Sequence, residues 1–166
     1  MAILPVVRLP DEGLKRPASP VGAIDASARQ LAVDLVDTMR GSPACVGLAA
    51  NQIGDRRHAF AMDVTGHRKA RTCHGLVVLF DVIVVAQSEP ELAREGCMSV
   101  PDLTGDVPRA TAVTVRGTGP DGEIMELTTD AFEARALLHE IDHLSGLLFL
   151  DRVASHAAVF RRRTYR

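Results

Sequence analysis

DAFEARALLHEIDHLSG, residues 130–146, is the stretch from which the rest of the chain can be read. Asp130 can cap a helix, and Glu133 three residues on completes a capping box. The helix is expected to run through Arg135, Leu137 and His143 to about Gly146, a natural stop. Within it, His139-Glu-Ile-Asp-His143 sets two imidazoles four residues apart, on one face and a turn apart, where both can grip one metal ion. Glu140 beside them is suited to take a proton from water on the metal rather than to bind it. The plain alternative is a surface helix that happens to carry two histidines and two acids.

The third ligand decides the class. In zinc proteases that continue the motif as HExxHxxGxxH the last histidine would fall at 149, which is Phe149 here. Proteases that take a downstream glutamate are excluded as well, because no Glu follows Glu140. Asp151 and His156 remain open as ligands. The better candidate lies upstream in Glu95-Gly-Cys97-Met98-Ser99, since a thiolate suits a borderline divalent metal and Cys plus two His leaves a position for water. A buried free thiol is the other reading of Cys97. Cys45 and Cys73 read as small hydrophobes, and His58, His67, His74 and His156 as isolated surface residues.

Outward from the helix, TAVTVRG and EIMELT flank TGPDG and predict an antiparallel hairpin. QSEPELAREGCMSVPD reads as a polar loop leading into the compact cysteine segment. Residues 75–86, GLVVLFDVIVVA, predict one buried strand or two short ones, and AFAMDV from Ala59 a short strand. CVGLAANQIGD looks too small and Gly-rich for a regular element, but open to close approach by a ligand. Leu31, Leu35, Val36 and Met39 recur at helical spacing between Asp25 and Arg40, with Gly41 as a stop, and the Pro- and Gly-rich start reads as an extended arm. The expectation is an α+β fold: small antiparallel or mixed sheets around a central C-terminal helix that carries HExxH, in one domain over residues 1–166.

The 166 residues are 46% hydrophobic, enough for a core, and the formal net charge of -2 provides no global field for nucleic acid. Only FRRRTYR, residues 160–166, is locally basic; it reads as a solvated end, with ribosomal RNA as the other partner considered. Three cysteines without secretory features argue against a disulfide framework. The longest apolar stretch, residues 75–86, is too short to span a bilayer and contains Asp81. A soluble, cytoplasmic protein with no membrane partner is expected.

GLAANQIG (47–54), EGCMS (95–99) and HEIDHLSG (139–146), in this order, resemble the three signature motifs of the peptide deformylase family. LPDEGLKRPASPV near the start and VPRA at 107–110 extend the likeness over nearly the whole chain. The resemblance implies a deformylase-like fold and removal of the formyl group from nascent N-formylmethionyl polypeptides, with release of formate. It implies a metal, Fe2+ in the native enzyme with Zn2+ or another divalent ion able to replace it, bound by Cys97, His139 and His143. Glu140 would accept the water proton and pass it to the departing amine, while Gln52 and the backbone N–H of Met98 stabilise the oxyanion. Val46 and Gly47 would pair with the extended peptide, and Val46 and Phe132 would line the methionine slot. Glu95 and Arg109 would form an ion pair that orients the Cys97 segment, against the ordinary reading of two solvated charges.

The chain departs from the family pattern at several places. Cys45 stands where the first motif usually has Gly, Met98 replaces the usual Leu of the second, and Leu138 replaces a Gln before the third. Leu-Phe-Asp-Val from Leu79 stands where the family places an Asn-Pro pair. Cys45 and Leu138 bear on substrate range and rate. They motivate a second function class, a catalytically weakened paralogue that binds metal and formyl peptide without turnover.

Overall fold

In a computed structural model, which describes residues 3–163, the decisive helix is present as α2 (Ala131–Leu144). Its start differs from expectation. Asp130 ends strand β7 (Ile124–Asp130), and its carboxylate accepts from the Thr72 amide at 3.1 Å instead of capping the helix. Glu133 is fully buried and accepts from Thr129 Oγ1 at 2.8 Å and from the His74 amide at 2.8 Å. The expected capping box is therefore replaced by long-range bonds that tie the preceding loop to the helix. The stop holds: Gly146 takes φ +75, and a Cβ there would meet the Lys15 carbonyl oxygen at 2.7 Å.

Helix α1 (Ala26–Gly41) begins at Asp25, whose carboxylate accepts from the Ala28 amide at 2.8 Å. Gly41 is its last residue, with Ser42 following. The segment read as irregular folds into β1 (Gly47–Ala49) and a short 3-10 turn over Ala50–Ile53. β2 (Ala59–Met62) and β3 (Val77–Gln87) follow, then the expected hairpin of β6 (Ala112–Thr118) and β7. These form an antiparallel sheet in the order β1-β2-β3-β6-β7, so β1 is an edge strand.

The polar loop expected over residues 87–102 is not a loop. It contains β4 (Pro90–Cys97), antiparallel to β5 (Val100–Ala110). Pro101, Gly105 and Pro108 hid β5, since proline cannot donate to a ladder. The strand tolerates the two prolines because its second neighbour, β8 (Val159–Arg161), pairs only with Leu103–Gly105, leaving Pro101 and Pro108 outside that ladder. The result is an α+β architecture of two antiparallel sheets around the C-terminal motif helix.

Helix α2 is buried on several sides, its polar residues Glu133, Glu140, Asp142 and His143 included. Ala134, Leu137 and Leu144 pack with Phe60, Leu79, Val115 and Leu127 of the five-stranded sheet. Leu31, Leu35 and Met39 of α1 cover β1 and β2. Leu14, Val100, Val107, Leu148 and Phe149 enclose Cys97 below the smaller sheet. Leu137 is wholly buried, and Leu137→Ala is expected to cost about 2–5 kcal/mol. A lower urea midpoint with an unchanged slope would show this; a midpoint within error of the parent would contradict the placement of the core.

Candidate metal centre

Cys97 at the end of β4 meets His139 and His143 of α2, and one ligand atom from each lies within 4.8 Å of the other two. Cys97 Sγ is 3.3 Å from His143 Nε2, and the imidazoles stand at 75° with centroids 4.9 Å apart. Asp151 and His156, the alternatives for the third ligand, do not join this cluster. Burial opposes ionisation of the Cys97 thiol, but His143 and His139 hold it well below the ordinary thiol range.

His139 is oriented from behind. Its Nδ1 lies 3.0 Å from Glu95 Oε2, which leaves Nε2 for the side facing Cys97. The same carboxylate accepts a bidentate pair from Arg109, Nε to Oε1 at 2.9 Å and Nη2 to Oε2 at 3.0 Å. The Arg109 and Glu95 side chains are 4% and 5% exposed, so the reading of two solvated charges fails. Burial alone would push the Glu95 carboxyl up, but His139 and Arg109 hold it down at about 2. Two further partners were missed in the sequence. Arg135 donates to Glu95 Oε1 at 2.9 Å, and Asp142 pairs with Arg109 and with Arg152. Asp142 lies inside HEIDH, where its place one residue before His143 was the available signal.

Glu140 projects into the same space. Its Oε1 comes so close to Gly47 that a Cβ there would lie 2.4 Å away, and its buried Oε2 has no hydrogen-bond partner among the described residues. Burial raises the Glu140 carboxyl, against the pull of His139 and His143. Gln52 is held by both ends of its amide: Oε1 accepts from the Ala49 amide at 2.9 Å, while Nε2 donates to Ser99 Oγ at 3.1 Å and reaches Cys97 Sγ at 3.6 Å. Asn51 donates to the His143 carbonyl at 2.6 Å, fixing the end of the motif helix. Ser99 and Asn51 carried no sequence signal beyond their place in the motifs. Beside these groups opens a cavity of about 330 Å³, lined by Val46, Gly47, Met98, Phe132 and Ala136 among others.

Similarity to known proteins agrees with this geometry. The model of the family described as polypeptide deformylase matches residues 3–158. A peptide deformylase of Syntrophobacter fumaroxidans is 40% identical over 153 residues, 92% of this chain and 88% of that protein. The chain belongs to the peptide deformylase family. A crystal structure of the Legionella pneumophila peptide deformylase matches with a TM-score of 0.84 at 36% identity, covering 92% of this chain and 87% of that one. A class I type b peptide deformylase of Acinetobacter baumannii, solved with Met-Ala-Ser bound, matches with a TM-score of 0.82 at 33% identity, covering 92% and 100%.

Two departures from the deformylase pattern now separate. Leu138 is buried in the main core and is not among the residues lining the cavity, so it does not shape the cleft. Cys45 does line it, with Sγ 3.1 Å from the Gly47 carbonyl oxygen. Burial, with Glu140 nearby, pushes this thiol up to about 12, so it remains a protonated donor. His67 is not a bare surface residue either, since it stacks on Phe132 with centroids 3.6 Å apart. His74 is exposed but meets Glu133 through Nδ1. No helix among the described residues is long and apolar enough to cross a membrane.

Two outcomes follow for the family fold in this chain. Arg109→Met takes the shared cation from buried Glu95 and Asp142, which keep only Arg135, His139 and Arg152, and should cost about 3–5 kcal/mol, read by denaturant unfolding; a loss below about 1 kcal/mol would mean the network is solvated. Iodoacetamide near pH 8 should label exposed Cys73 and spare half-buried Cys45, read by peptide mass spectrometry, and equal labelling would contradict a Cys45 thiol held protonated.

Proposed function

We propose that the chain, as one deformylase-like domain, removes the formyl group from N-formylmethionyl polypeptides using a divalent metal held by Cys97, His139 and His143. What carries this reading is the carboxylate oxygen Oε2 of Glu140, buried without a hydrogen-bond partner among the described residues in the wall of the cavity that the converging ligands share. The donor set fits such an ion: a thiolate and two imidazoles suit ferrous iron, the expected metal, and zinc alike. When bound, the ion supplies Lewis acidity and lowers the pKa of water.

The chain's own residues do the rest. Glu140 accepts the proton of the attacking water and returns it to the amine as the carbon–nitrogen bond breaks, giving formate and a free N-terminus. Its raised proton affinity in a buried site suits both halves of that task. Gln52 Nε2, whose direction is fixed by the Ala49 amide on the other end of the amide group, and the Met98 backbone N–H donate to the oxyanion. β1 is the end of its sheet, so an extended peptide can add beside Val46 and Gly47, with the methionine side chain between Val46 and Phe132. The Acinetobacter relative was solved with a peptide that begins with Met bound, which supports a peptide with an N-terminal methionine as the ligand here.

Nascent chains are the proposed partner and the cytoplasm, where they emerge, the proposed compartment. Basic Arg161–Arg163 could reach ribosomal RNA, although Arg161 is taken up in β8; residues 164–166 of the basic tail lie outside the described residues. The second reading, a paralogue that binds formyl peptide without turnover, is favoured by one observation: the Cys45 thiol occupies the Gly47 carbonyl that a peptide N–H would otherwise use.

Iron- or zinc-loaded protein should release formate from formyl-Met-Ala-Ser. Glu140→Gln should lower the rate by about 10²–10⁴-fold while metal content is unchanged. A mutant at full rate would remove Glu140 as the base, and tight peptide binding by the parent without formate would establish the second reading.

A further inference from the structure

The C-terminal strand carries a cation across the smaller sheet. β8 sets Phe160 opposite Thr104 of β5, and Thr104 stands opposite Gly96 of β4. Arg94 shares that outer face, paired with Asp106 at 2.6 Å and 3.8 Å from the Phe160 ring centroid, while Glu95 and Cys97 alternate to the buried side. Arg162 follows the strand, its amide donating to the Asp102 carbonyl at 2.8 Å, and its side chain crosses the outer face to Gly96. A Cβ on Gly96 would collide with Arg162 Nη2 and lie 3.0 Å from Cζ and 3.4 Å from Thr104 Cγ2, so a glycine is what leaves room for the guanidinium.

Gly96 is exposed and lines the cavity at the metal centre, as do Val46 and Gly47 beside the sheet edge. A peptide added along β1 shares that cavity with Gly96, where the guanidinium of Arg162 takes the place of a side chain. The slot holds the first side chain, and each further residue advances about 3.3 Å, so the second and third positions are the next to pass the rim. We propose that Arg162 is a substrate-binding residue that favours an acidic side chain at the second or third position of the formyl peptide. The inference rests on the proposed function, which brings the peptide into this cavity. A guanidinium suits a carboxylate because its fork of N–H donors matches two oxygens. With a formal net charge of -2 the chain has no general attraction for an acidic peptide, so such a preference has to come from a local cation.

The test compares kcat/KM for formate release by the zinc-loaded full chain from C-terminally amidated formyl-Met-Asp-Ser and formyl-Met-Lys-Ser, and from formyl-Met-Ala-Asp and formyl-Met-Ala-Lys. The parent should prefer Asp over Lys at one of the two positions. Arg162→Gln should lower that ratio by about two- to fivefold, the scale of an exposed ion pair, and Arg162→Lys should keep the larger part of it. Arg161→Gln, next along β8 and on its other face, should retain the parent ratio. A purely structural role for Arg162 would lower all four rates together and leave the ratios unchanged. Equal ratios in the parent and Arg162→Gln at both positions, or an equal fall in Arg161→Gln, overturn the inference. If the parent releases formate from none of the peptides, the proposed function fails instead, and the same ratios from calorimetric binding judge Arg162.

Discussion

A carboxylate buried at the end of a strand must be compensated, and Glu95 is compensated by Arg109, Arg135 and His139 at once. This joins the smaller sheet to α2 by charge rather than by apolar packing alone. Arg109 in turn holds Asp142, and Asp142 holds Arg152, so the network closes around the motif helix. Such a network is worth little as raw stability, because desolvation offsets much of the attraction. Its value lies in direction: it fixes which nitrogen of His139 faces Cys97 and keeps β4 in register with the helix.

The motif helix and its two histidines were legible because a four-residue spacing on a helix dictates geometry from local sequence alone. α1 and the β6–β7 hairpin were legible for the same reason, through apolar periodicity and a Pro-Asp-Gly turn. β4 and β5 were not. Their polar and proline-bearing sequence looks like a loop, and what makes them strands is pairing with each other, a non-local fact. The Glu95–Arg109 pair came from resemblance to the family, whereas Arg135 and Asp142 could be placed only after β4 and β5 had been brought against α2. The Asp130 capping box failed because the loop before β3 takes both acids for its own amides.

The departures from the family pattern divide by position. Leu138 points into a core that a leucine fills well, and its consequence is packing. Cys45 stands in the cleft with its thiol on the Gly47 carbonyl of the edge strand, so its consequence falls on the lining of the cavity. Gly47 marks the opposite constraint: any side chain there would displace the Glu140 carboxylate, which ties the edge strand to the motif helix.

The proposed centre has Cys97, His139 and His143 hold one metal ion together, and X-ray absorption at the zinc edge of the zinc-loaded full chain reads those donors. The proposed centre predicts one sulfur at about 2.3 Å and two imidazole nitrogens at about 2.0–2.1 Å. A first shell of nitrogen and oxygen without sulfur would contradict it.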